Sequence, residues 1–77
     1  MMAAIDYAFD NPITLLTNGL LVRTASQAAE LVTSNMRNRF TMQGLNTVLM
    51  LERAIAGDEI EEARAAFYAW AAQEGLA

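Results

Sequence analysis

The stretch Ile13-Thr14-Leu15-Leu16-Thr17-Asn18-Gly19-Leu20-Leu21-Val22-Arg23 decides the fold. Two apolar runs flank an Asn-Gly pair. A type I′ turn needs positive φ at both central residues, which Asn tolerates and Gly adopts freely. A two-residue loop sets Thr17 opposite Leu20, Leu16 opposite Leu21, Leu15 opposite Val22 and Thr14 opposite Arg23. Side chains alternate along a strand, so Ile13, Leu15, Leu20 and Val22 share the core face. The Leu16–Leu21 pair then falls on the other face with Thr14 and Arg23, where water is expected. A hairpin alone is marginal and has two free edges, so other parts of the chain or a partner must cover it.

Helices follow. Thr24-Ala25-Ser26-Gln27 has capping-box spacing, with Thr24 as N-cap and Gln27 reaching back. The helix over residues 24–36 carries Ala25, Ala28, Ala29, Leu31, Val32 and Met36 on one arc. Met36 to Phe40 reads as a loop. Thr41 caps a second helix over 42–56, and Gly57 ends it. Its apolar arc takes in Leu45, Val48, Leu49, Leu51, Ile55 and Ala56, with Glu52 inside it. Gln43, Asn46, Thr47 and Met50 mark the wet side. Asp58-Glu59-Ile60-Glu61 reads as a second capping box, opening a helix over 59–74. Gly75 is the expected C′ residue of a Schellman motif, with Leu76 folding back on Trp70 or Ala71. Ile60, Ala63, Phe67, Ala71 and Glu74 share a face. Tyr68 and Trp70 flank it on opposite sides, so one packed face cannot bury both.

Upstream, residues 1–11 read as an arm whose aromatics, Tyr7 and Phe9, plug the core's edge. The expected fold is α+β: a β-hairpin at 12–23 packed on three helices, order β-β-α-α-α, in one small α/β domain spanning 1–77.

Composition narrows the chemistry. The chain has 77 residues, no Cys and no His. A thiolate nucleophile, a Cys/His zinc site and a histidine general base are therefore excluded. The net charge is −4, with five cations, all Arg. A duplex-binding domain needs a basic face to displace counterions, and an anionic membrane attracts one too, so neither partner is expected. The longest apolar run, Ala65 to Ala72, is far short of the roughly 18 residues of a membrane span. The first ten residues lack the basic start of a secretory signal. The expected location is cytoplasmic, and no cofactor is called for.

Four features carry candidate function. Asp58, Glu59, Glu61 and Glu62 lack the alternating ligand spacing of a calcium loop, and capping with dipole compensation explains them, so no metal site is expected. Arg37 and Arg39, with Phe40 beside them, form a basic loop that can grip single-stranded nucleic acid or an acidic ligand. Glu52 in an apolar arc invites a catalytic reading. The structural alternative gives it an arginine partner, Arg23 or Arg64, between two packed faces. Leu16, Leu21, Met50, Tyr68 and Trp70 are apolar residues that one core leaves over, which suggests an interface. A homodimer uses this surplus; the alternative is that three helices cover both faces of the hairpin within one chain.

From Phe9 onward the chain resembles a family of short bacterial proteins, mostly of rhizobia-like organisms: the domain of unknown function 982 family. The residues behind the resemblance are Phe9-Asp10-Asn11-Pro12-Ile13, Gly19, the helix start at Thr24 and Ala54-Ile55-Ala56-Gly57. Glu62-Ala63-Arg64-Ala65-Ala66-Phe67 and Ala71-Ala72-Gln73-Glu74-Gly75-Leu76 complete them. The chain departs from the family pattern at Met36 to Phe40 and at Leu51. The resemblance implies a compact α/β fold and assigns no activity.

The expected function is a small non-enzymatic interaction module, self-associating through Leu16, Leu21, Tyr68 and Trp70 or meeting another protein partner. The alternative is a small regulator that binds nucleic acid or an acidic ligand through Arg37 and Arg39.

Overall fold

A computed structural model describes residues 8–77. The elements are β1 (Ala8–Thr14), β2 (Leu21–Thr24), α1 (Ala25–Met36), α2 (Met42–Ile55) and α3 (Ile60–Gln73). The order is β-β-α-α-α, an antiparallel hairpin followed by three helices, as the sequence predicts. Tyr7 lies outside the described residues. β1 begins at Ala8, so the strand takes in the end of the expected arm, and Phe9 is buried in the core.

The hairpin register differs from the expected one. Ile13 pairs with Val22 and Thr14 with Leu21. The Leu15 N–H donates to the Leu20 carbonyl at 2.8 Å, so Leu16 through Gly19 form the loop. Only Gly19 is left-handed there, with φ 71°. Asn18 keeps a negative φ and its Oδ1 accepts from the Leu20 N–H at 3.0 Å. The Gly19 N–H donates to the Leu15 carbonyl, closing one helix-like turn instead of a type I′ turn. The shift is two residues, an even number, so the core face is unchanged. Ile13, Leu15 and Val22 are buried on it, while Leu20 at the loop edge is exposed. Leu16 and Leu21 are not a cross-strand pair.

β1 is irregular upstream. Ala8 pairs with Thr24, so β1 advances five residues where β2 advances two. Pro12 sits in this bulge, where its missing N–H leaves no ladder position empty.

The helix ends follow their signals, with one exception. Thr24 Oγ1 accepts from the Gln27 N–H at 3.1 Å, and Thr41 Oγ1 from the Gly44 N–H at 2.9 Å. The expected Schellman motif forms at Gly75, and a second one ends α2 at Gly57. Asp58 N–H donates to Arg53 O with Gly57 at φ 94°, and Leu76 N–H donates to Ala71 O with Gly75 at φ 78°. The expected capping box of α3 does not form. Glu59 precedes the helix with φ 52° and makes no side-chain cap bond.

The core joins Phe9, Ile13, Leu15 and Val22 from the hairpin to one stripe of each helix. On α2 that stripe is Gly44, Thr47, Leu51 and Ala54. Thr47 is therefore buried, not wet, and its hydroxyl donates to the Gln43 carbonyl at 2.8 Å. Gly44 lets α1 come close: a Cβ there would lie 2.6 Å from Met36 Sδ. Met50 packs against the core, whereas Leu49, expected inside, is exposed.

Candidate interaction surface

The hairpin's edges decide what kind of contact this surface can make. Along β2, Leu21 and Arg23 face away from β1, because bonding alternates along an antiparallel ladder. The side-chain amide of Gln27 meets both of them. Its Oε1 accepts from the Arg23 N–H at 2.9 Å, and its Nε2 donates to the Leu21 carbonyl at 3.2 Å. One carboxamide thus stands where a third strand would bond. On the outer edge of β1, Arg64 Nε donates to the Asn11 carbonyl freed by the bulge. The Leu16 N–H donates to the Leu76 carbonyl at 2.8 Å. These two ties lay β1 along α3. Gln27 of α1, Arg64 of α3 and Leu76 of the C-terminal segment therefore occupy bonding positions on both edges.

Of the four expected contact residues, the structure separates two from the others. Leu16 is 79% exposed at the hairpin tip, its backbone anchored by Leu76. Tyr68 is 51% exposed on the flank of α3 that carries Arg64 and faces β1. Leu21 is half-buried. Trp70 is a correction: it is 1% exposed and stacks on Phe67, ring centroids 5.9 Å apart. It follows Phe67 by three residues and precedes Glu74 by four, inside the packed stripe, so it is a core anchor.

The basic loop is partly consumed. Arg39 Nε lies 3.3 Å from Glu74 Oε1, whose side chain is largely buried at the end of α3. Arg37 caps α1 and lines a shallow groove of about 550 Å³ between α1 and α2. Glu52 lines the same groove, with Glu30, Thr33 and Ser34 nearby. Glu52 is exposed and has no ion-pair partner among the described residues. The expected bridge to Arg23 or Arg64 is absent, and Arg64 serves Asn11 instead. The acids after α2 do not gather. Glu59 pairs loosely with Arg53 at 3.9 Å, and no group of three or more His, Cys, Asp or Glu among the described residues is placed to hold a metal ion.

Sequence reasoning missed a second apolar patch. Met42 and Leu49 are exposed on the outer side of α2, and Phe40 is exposed just before its N-cap. The signal was Gly44, which lets Met36 of α1 approach closely and so turns larger side chains of α2 outward. No helix among the described residues is long and apolar enough to cross a membrane. No family model, curated protein or solved structure matches the chain.

Proposed function

We propose that the chain is a non-enzymatic interaction module that binds a second copy of itself through the hairpin tip and the exposed flank of α3. The observation that carries this reading is Leu16: a large aliphatic side chain, 79% exposed, on a backbone pinned to Leu76. Displaying it costs hydrophobic free energy that contact with a partner returns. Leu20 beside the loop and Tyr68 on α3 are further exposed large apolar residues of these elements, and the bonded edge positions favour side-chain contact over strand pairing. The residue types support a non-catalytic role. Cys, His and Lys are absent, and the charged groups lining the groove with Ser26 and Ser34 are Glu30, Glu52 and Arg37. The basic-loop alternative loses support, because Arg39 is tied to Glu74.

Sedimentation equilibrium of Leu16→Asp and Tyr68→Ser tests the reading. Both should shift a self-associating wild type toward monomer while thermal unfolding changes little. Association unaltered in both variants would refute it.

A further inference from the structure

We propose that the outer side of α2 is a second self-association surface, pairing antiparallel with α2 of another copy. This goes beyond the hairpin patch and is independent of it.

The buried stripe of α2 runs through Gly44, Thr47, Leu51 and Ala54. Opposite it on the helical wheel lie Met42, Leu45 and Leu49, spaced i, i+3, i+7, the spacing of a helix-packing seam. Met42 is 64% exposed and Leu49 51%; Leu45 is half-buried between them, and Phe40 extends the patch past the helix start. The fully buried stripe of α2 lies on the other side, so Met42 and Leu49 are left to water.

Charge selects the orientation. The N-terminal end of α2 follows Arg37 and Arg39 and has no acid in its first turn. The C-terminal end carries Glu52 and leads into Asp58 and Glu59. Arg39 is paired with Glu74, and Glu59 with Arg53. Arg37 at one end, and Glu52 and Asp58 at the other, have no ion-pair partner among the described residues. Arg37 and Glu52 border one groove in the same chain but beyond ion-pair distance. A parallel pairing sets like ends together. An antiparallel pairing about a two-fold axis sets each basic end beside an acidic end, twice, and opposes the helix dipoles favourably. The seam is small beside the roughly 800 Å² per partner of a standard interface, so the pairing is weak.

Mixing two charge-reversed chains tests this. Arg37→Glu and Glu52→Arg are both exposed substitutions, and circular dichroism checks that each chain folds. Both carry Leu16→Asp, which removes the hairpin contact, and the reference is Leu16→Asp alone. Each chain by itself should associate roughly threefold to tenfold more weakly than the reference by sedimentation velocity. Their equimolar mixture should recover the reference affinity, because both crossed contacts again join opposite charges. Adding Leu49→Asp to the reference should weaken association by about tenfold or more. A mixture no tighter than the separate chains, or full association in the Leu49→Asp chain, overturns the inference. A Leu16→Asp chain that already associates like wild type counts against the hairpin reading alone.

Discussion

Trp70 and Tyr68 stand two residues apart on α3 and end in opposite environments. Trp70 is sealed in the core and stacked on Phe67, and Tyr68 remains half in water. Two residues turn a helix by about 200°, so neighbours in sequence serve opposite sides. The stripe that includes Trp70 belongs to the core shared with α2 and the hairpin, while the Tyr68 flank carries Arg64, which bonds to Asn11 in the bulge of β1. Aromatic character alone does not mark a contact residue; the residue's place relative to the neighbouring stripes does.

Four substitutions sharpen that contrast. Trp70→Ala should cost the most, about 3–5 kcal/mol of folding free energy by urea denaturation followed by circular dichroism, since it opens a cavity at the centre. A chain of this length has about 4–12 kcal/mol in total, so the variant should be unfolded or nearly so. Gln27→Leu should cost about 1–2 kcal/mol, because it strips two bonds from the β2 edge at constant volume. It should also add slow aggregation, visible by light scattering, as that edge opens. Gly75→Ala should cost about 1–2 kcal/mol: a Cβ there meets no neighbour, so the loss reads the left-handed φ of 78° alone. Tyr68→Ser should stay within about 0.5 kcal/mol of wild type in stability while weakening association. A Tyr68 variant that unfolds like Trp70→Ala would erase the distinction between the two sides.

The sequence showed much of the frame and less of the surface. Helix starts at Thr24 and Thr41 and ends at Gly57 and Gly75 were legible because each is a local device, one side chain or one glycine satisfying backbone groups nearby. The hairpin faces were legible because alternation survives an even shift in register. The register itself was not, since Asn18-Gly19 can close either a two-residue loop or the wider turn, and the Leu16–Leu76 tie that accompanies the wider turn is nonlocal. The α2 stripe was misread for a related reason. Hydrophobicity points to Leu49, but close approach of Met36 demands Gly44 on the inside, and that demand comes from another helix. Glu52, read as an interior charge, is simply on the outer groove. That Tyr68 and Trp70 could not both be buried was legible; which one is buried follows from Trp70 standing three residues after Phe67, in the stripe.

The central claim is that leftover surface side chains, held outward by a closed scaffold, bring a second copy of the chain. Amide chemical shifts of the wild-type chain across a dilution series from about 1 mM to about 10 µM test it most directly. The account predicts concentration-dependent shifts at Leu16 to Leu20 and around Tyr68, with a separate set at Met42 to Leu49, and a Trp70 indole signal that does not move. Shifts that stay constant at every residue over that range would contradict it.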